Sequence, residues 1–166
     1  MKRIVIGVLT AACCLSISTH AQSPIGLQEA AWSPDGKRIA VSYLDRIWTM
    51  TPDGKQARGI TQDLKPASSQ ARKPESPRDL VIEREPAWSP DGNRIAYAAD
   101  RGDGFDIFVV TIKNGAGSSA PVAATQMAGD ERWPSWTADG RLVFAHRDAR
   151  VAGKNGDPSL QYDIYV

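Results

Sequence analysis

Beyond its first 21 residues this sequence has no cysteine and one histidine, and these two scarcities remove much of the chemistry a short chain can carry. Cys13 and Cys14 both lie in the leader, which excludes a disulfide framework, a cysteine metal site and a thiol nucleophile from the remainder. His20 lies there too, so His146 stands alone, too little for a histidine-rich metal centre or a cysteine–histidine pair. No Gly-x-Ser-x-Gly elbow and no phosphate-binding glycine loop occurs. Nothing marks a pair of carboxylates for glycoside cleavage. Charge of one sign is missing as well. With a net charge of +1 and a pI near 7.8, there is no electrostatic footing for nucleic acid or an acidic membrane surface. No stretch shows a helical period with caps at both ends, and no apolar run is long enough to span a bilayer comfortably. The sequence therefore predicts no catalytic residues, no metal and no cofactor.

The leader has its own logic. Lys2 and Arg3 form a positive start, Ile4–Ile17 is an apolar to weakly polar core, and Thr19-His20-Ala21 places small residues where a signal peptidase reads. Residues 1–21 read as a cleaved secretory signal with Gln22 as the mature start, and they predict a periplasmic or secreted protein. A lipid anchor on Cys13 would want a Leu where Thr10 stands. Loss of Lys2 and Arg3 turns the net charge from +1 to −1.

What the sequence does have is repetition. Ala31-Trp32-Ser33-Pro34-Asp35-Gly36-Lys37-Arg38-Ile39-Ala40 returns as Ala87-Trp88-Ser89-Pro90-Asp91-Gly92-Asn93-Arg94-Ile95-Ala96. It returns again, one residue shorter after the glycine, as Ser135-Trp136-Thr137-Ala138-Asp139-Gly140-Arg141-Leu142-Val143. The tryptophans are 56 and then 48 residues apart. A second block follows each copy in the same order, headed by Asp45, Asp106 and Asp163: Asp-Arg-Ile-Trp, Asp-Ile-Phe-Val and Asp-Ile-Tyr-Val.

Each unit reads as a small antiparallel sheet. In Ser-Pro-Asp-Gly the proline fixes φ, the aspartate bonds its own backbone and the glycine accepts positive φ, so a tight turn joins the Trp strand to the next. That next strand alternates, with Ile39, Val41 and Tyr43 against Ala40 and Ser42, giving one bulky and one small face. A third strand starts near Arg46 or Asp106, and a weaker fourth lies around Ala57–Thr61 and Val122–Thr125. Four strands in about 45–50 residues is the size of a propeller blade. The predicted fold is all-β, a partial β-propeller of about two and a half to three four-stranded blades. Blade 1 covers about 27–61, a polar linker 62–82, blade 2 about 83–125 and blade 3 about 130–166, with a polar insertion at Arg147–Gln161.

On these residues the sequence resembles the TolB-like, WD-repeat-like propellers, whose blades carry a Trp-Ser-Pro-Asp-Gly turn and a later Asp-Ile-Tyr-Val-type strand. Trp32 to Gly36 and Trp88 to Gly92 match that turn fully, while Trp136 to Gly140 departs at Thr137 and Ala138. The resemblance implies the fold and says little about function, because such blades serve several settings. They occur in the periplasmic Tol–Pal partner, ahead of prolyl-oligopeptidase-like hydrolase domains, and as the N-terminal half of secreted amidohydrolases. The layout is most similar to the last, since the leader runs almost directly into Ala31-Trp32 where TolB has a separate α/β domain. The last repeat stops at Val166, part way through its third strand, and predicts a fragment of a longer protein, with self-association through unpaired blade edges as the lesser alternative.

The recurring residues therefore form a structural signature: Trp32, Pro34, Asp35, Gly36, Trp88, Pro90, Asp91, Gly92, Trp136, Asp139, Gly140, Asp45, Asp106 and Asp163. The tryptophans are expected to pack blade on blade rather than line a ligand channel, and Asp35, Asp91 and Asp139 to build turns. Asp45, Asp106 and Asp163 are expected to head equivalent strands and accept backbone hydrogen bonds. Asp100 to Asp106 holds three carboxylates but lacks the calcium-loop spacing, and its Arg-Gly-Asp sits where a hairpin turn needs Gly and Asp. The expected function is a non-catalytic binding module for a protein or ligand. The alternative is the N-terminal propeller of a secreted hydrolase, an amidohydrolase before a prolyl-oligopeptidase-like enzyme, with the catalytic domain elsewhere.

Overall fold

Twelve strands are seen in the computed structural model, which describes residues 27–61, 81–102, 104–148 and 162–166. There is no helix among the described residues. The linker at 62–80, most of the third-unit insertion at 149–161, Asp103 and the leader lie outside them. The described residues form an all-β partial propeller of three blades.

Blade 1 runs β1 (Leu27–Trp32), β2 (Ile39–Tyr43), β3 (Arg46–Met50) and β4 (Arg58–Gly59) in that spatial order, all antiparallel. Blade 2 repeats the order with β5 (Ile82–Trp88), β6 (Arg94–Asp100) and β7 (Phe105–Lys113). The outer edge of β7 is shared end to end by β8 (Ala116–Gly117) and β9 (Val122–Ala123). Asn114 and Gly115, at φ 52° and 73°, form the two-residue turn into β8, the pairing that residue types tolerant of positive φ favour. Blade 3 contains β10 (Gly129–Trp136), β11 (Leu142–Asp148) and β12 (Asp163–Tyr165). The first strands of successive blades lie side by side, and β10 also packs across β6 and β7 of blade 2.

One turn chemistry connects these strands four times. Ser33 Oγ donates to Asp35 Oδ1 at 2.7 Å, Lys37 N donates to the same oxygen at 3.1 Å, and Gly36 N closes on the Ser33 carbonyl at 2.9 Å. Ser89-Asp91-Gly92, Thr137-Asp139-Gly140 and, between β3 and β4, Thr51-Asp53-Gly54 repeat it. The hydroxyl bond from Ser33, Thr51, Ser89 or Thr137, backed by bonds from within the turn, holds each aspartate below the usual carboxylate range.

The core lies between the sheets. Tyr97, Phe108, Val110, Ile95 and Ile112 of blade 2 pack on Ala40, Ile47 and Ile60 of blade 1. On the other side Ala96, Ala98 and Ile107 receive Trp136, Leu142 and Phe144 of blade 3. A bulky face thus meets a small-residue face at each junction, the arrangement that lets stacked sheets interdigitate. Gly117 allows a close backbone approach: a Cβ there would sit 2.4 Å from the Ile60 carbonyl oxygen of blade 1.

Strand register revises one expectation. Asp106 pairs with Ala99 and Asp163 with His146, but the blade 1 residue in that place, opposite Tyr43, is Arg46. Asp45 falls one position earlier, in the β2–β3 turn at φ 58°, where its carboxylate takes Arg84 Nη2 at 2.7 Å. The similarity of Asp45 to the other two is in sequence order only. A two-residue positive-φ turn moved it out of the strand.

Candidate functional site

The first strand of each blade bulges three residues before its tryptophan. The bulges lie between Gln28 and Ala31, Arg84 and Ala87, and Arg132 and Ser135, each containing a non-glycine residue at positive φ: Glu29 (50°), Glu85 (59°) and Trp133 (51°). A bulge re-aims its side chain and frees a backbone donor. Here the two consequences are matched across blades. Glu29 Oε2 accepts the N–H of Glu85 at 2.6 Å, and Glu85 Oε2 accepts the N–H of Trp133 at 2.7 Å. Each carboxylate holds the bulge of the next blade.

Charge accumulates on the same edge. Glu85 is buried and pairs through its other oxygen with Arg132. Burial alone would lower the Arg132 pKa, but the Glu85 hydrogen bond and charge outweigh it and hold it above its ordinary value. The Arg132 guanidinium lies 4.2 Å from the Phe105 ring centroid and 5.5 Å from that of Trp133. Arg84, its counterpart in blade 2, bonds Gln28 Oε1 and Asp45 Oδ1, both at 2.7 Å.

Two further glutamates sit two residues before the bulge residues. Glu83 reaches into blade 1, where Oε2 accepts from Thr61 Oγ1 and, at 3.2 Å, from Ile47 N. Burial pushes its pKa up against the opposing Thr61 bond and nearby Arg46. Tyr97, fully buried nearby, is pushed up by the same burial and by the Glu83 charge. Glu131, also fully buried, meets His146 Nδ1 at 2.7 Å. Among the described residues no group of three or more His, Cys, Asp or Glu side chains could hold a metal ion.

At the blade 3 end the row opens to solvent. Trp133 occupies the place held by Glu29 and Glu85, is 53% exposed, and meets the Tyr162 ring edge-on at 4.8 Å. Arg147 lies 5.5 Å from the Tyr162 ring and is paired with Asp130. The result is an aromatic shelf bordered by arginines, at the edge where the first strands converge. Large aromatic faces beside guanidinium groups are the surface chemistry enriched where proteins bind partners.

The tryptophans of the repeat do not share one environment. Trp136 donates Nε1–H to the Ala87 carbonyl at 3.1 Å and carries the Arg94 guanidinium 4.5 Å above its ring. Trp88 packs against the core between blades 1 and 2. Trp32 is 59% exposed, since among the described residues no blade lies on its side. Pro34, Asp35, Pro90, Asp91 and Gly92 line a groove of about 770 Å³ between the turns of blades 1 and 2, and no residue of the charged row lines it. Asp139 and Gly140 stand in the third turn. The repeat signature thus falls at the turns and junctions, and the charged row falls elsewhere.

The row carried its own signal. Glu83-Arg84-Glu85-Pro86-Ala87-Trp88 and Glu131-Arg132-Trp133-Pro134-Ser135-Trp136 share Glu, Arg, Pro and Trp at identical spacing. The shared stretch begins five residues before the tryptophan, upstream of the turn that first draws the eye.

Among solved structures the chain is similar to TolB from Acinetobacter baumannii, with a TM-score of 0.53 and 21% identity over 76% of this chain and 28% of that one. The AtxE2 isopeptidase aligns with a TM-score of 0.46 and 22% identity over 74% of this chain and 21% of its own. A putative TolB from Agrobacterium tumefaciens aligns at 0.37 and 17% over 83% and 56%. No sequence profile of a known family matches, and no curated protein matches. At these identities the likeness fixes the fold, the TolB-type propeller, and the chain spans little more than a quarter of the Acinetobacter protein.

Proposed function

We propose that this chain, built on the blades of a TolB-type propeller, is an exported, non-catalytic binding module whose partner-contacting surface is the shelf around Trp133. The observation that carries this reading is the asymmetry of the bulge row. Glu29 and Glu85 spend their carboxylates on the next blade, whereas Trp133, in the same backbone conformation, turns an aromatic face to solvent. Positive φ strains a bulky residue, and such strain is characteristic of functional positions. Arg132 and Arg147 flank the shelf, each already paired with a carboxylate of this chain (Glu85 and Asp130), so the shelf suits a partner segment that presents an apolar or aromatic face.

The positions of the ionisable groups among the described residues support binding over turnover. Glu83 and Glu131 are buried in hydrogen bonds between or within blades, and Glu85 is committed to Arg132 and the Trp133 N–H. None has both a solvent-facing position and a neighbouring nucleophile. Export rests on the leader at 1–21.

The test is affinity capture from the envelope fraction of the source cell with the full chain and with Trp133→Ser. A partner retained by the first and lost with the second supports the module. Equal retention removes the shelf from the reading. Reading the gene past codon 166 tests the alternative: an in-frame metal-ligating or serine-hydrolase domain would make the module part of an enzyme.

A further inference from the structure

We infer that the groove between the turns of blades 1 and 2 is a second binding site, separate from the shelf around Trp133, and that it takes an extended acidic segment of another polypeptide. Both of its walls belong to sheets of at least four strands. The β1–β2 turn brings Lys37 and Arg38 to it, the β7–β8 turn brings Lys113 and Gly115, and Trp88 stands where β5 enters its turn. Its volume of about 770 Å³ is that of clefts that hold ligands.

Two donors that line this groove have no acceptor. Arg38 reaches from blade 1 to blade 2, where Nη2 donates to the Asn114 carbonyl at 3.4 Å; the same nitrogen donates to Gln56 Oε1 at 3.5 Å. Both bonds are long, and Nη1 is covered and unpartnered. The reach is possible because residue 115 is glycine: a Cβ there would lie 2.0 Å from Arg38 Cζ. At the next junction the arginine in the same place, Arg94, lies over Trp136, whose indole N–H donates to the Ala87 carbonyl. Trp88 has neither partner. Among the described residues no cation lies over its ring, and its indole N–H is covered and unpaired. Covered donors without acceptors are costly, so an entering carboxylate that draws the weakly held Arg38 head to itself recovers a bond the protein leaves unmade.

The carboxylates already in the groove do not serve as that acceptor. Asp35 Oδ1 takes Ser33 Oγ and Lys37 N, and Asp91 is engaged by Ser89 Oγ and by both nitrogens of Asn93. Lys37 Nζ meets Asp35 Oδ2 only at 3.9 Å, between exposed side chains, and Lys113 makes no ion pair among the described residues. Lys37, Arg38 and Lys113 therefore leave positive charge in excess and complement acidic groups. Lys37 marks the inner end of the groove and Lys113 the outer end. Two strand spacings, about 10 Å, separate the inner turn of a blade from its outer turn. That is the length of about three residues of extended chain, so one segment with two acidic side chains meets both ends.

Proton–nitrogen correlation NMR of the full chain tests this through the indole N–H signals of Trp88 and Trp133, assigned by their loss in Trp88→Phe and Trp133→Ser. The probe is an acetylated, amidated hexapeptide of alternating glutamate and alanine, with its glutamine counterpart and free glutarate alongside. The glutamate peptide is expected to move the Trp88 signal saturably and to leave that of Trp133 in place, with weaker binding at high salt. Arg38→Gln is expected to weaken binding about tenfold and Lys113→Gln about threefold. Lys113 is exposed, so its variant keeps the fold whatever Arg38→Gln does to it. Several results overturn the inference: a Trp88 signal that does not move, a Trp133 signal that moves in its place, an equal response to the glutamine peptide, or Lys113→Gln binding like wild type. Glutarate binding as tightly as the peptide overturns the extended segment and leaves a site for small carboxylates only.

Discussion

Glu85 and Trp133 are joined across two blades by a hydrogen bond of 2.7 Å from the Trp133 backbone N–H to Glu85 Oε2, while the other carboxylate oxygen holds Arg132. One buried side chain thus satisfies a bulged backbone donor and a half-buried cation. Glu85→Ala leaves both without a partner, and removal of one member of such a pair costs about 3 kcal/mol. Glu29→Ala removes the corresponding bond from an exposed side chain and costs about 1 kcal/mol. Urea unfolding of the two variants measures the difference, and equal effects would refute the role given to burial.

Glu83 makes stability depend on pH in a particular direction. Its folded pKa is raised by burial, so the folded state holds the proton more tightly than the unfolded chain. The favourable contribution is complete below the ordinary glutamate value and is lost as pH rises through the raised folded value. Glu83→Gln keeps the acceptor for Thr61 and Ile47 without the charge. Its melting temperature relative to wild type is expected to rise between mildly acidic and neutral pH, and a constant offset would contradict this.

The aspartates of the four turns act in the opposite sense. The hydroxyl bonds hold their folded pKa values low, so their contribution is present above the ordinary carboxylate range and fades as pH falls through the lowered values. Ser89→Ala, which removes the principal bond to Asp91, is expected to raise the Asp91 pKa, read by NMR titration of its carboxyl carbon. An unchanged titration would show that the backbone bond from Asn93 suffices.

Glycine positions separate conformational strain from steric closeness. Gly36 has φ 67° and open space around it, so Gly36→Ala costs about 1 kcal/mol for the backbone alone. At Gly117 a Cβ would meet the Ile60 carbonyl oxygen, a backbone atom, and blades 1 and 2 must move apart. Gly117→Ala is expected to cost about 2–3 kcal/mol. Thermal unfolding of the two variants ranks them, and the reverse order would contradict the close approach.

Leu44 is a place where the chain can be improved. It occupies the β2–β3 turn at φ 48°, 67% exposed, where a bulky apolar residue is poorly suited to left-handed backbone. Leu44→Asn is expected to stabilise the protein by about 0.5–1 kcal/mol. Urea unfolding decides it, and a loss of stability would show that Leu44 makes a contact of value.

The repeat announced itself because its turns depend on residues a few positions apart: hydroxyl, aspartate and glycine fix a reversal wherever they occur together. Strand alternation was equally legible, since one bulky and one small face follow from period two. Local spacing therefore determined an all-β chain of stacked blades, and the placement of Asp35, Asp91 and Asp139 in turns. It misled at Asp45, because the positive-φ pair Leu44-Asp45 shifts register by one residue, and composition alone does not disclose such a turn.

Tertiary structure alone decided the charged row and the fate of each tryptophan. Glu29 and Glu85 look like surface residues until the bulges bring each against the backbone N–H of a residue some fifty positions later. Trp32, Trp88 and Trp136 are alike in sequence, yet their exposure depends on which neighbour covers them. Turns follow from short-range sterics and bonding, which a sequence carries within itself. Burial and cross-blade pairing depend on what another part of the chain places alongside, and only the assembled sheets supply that.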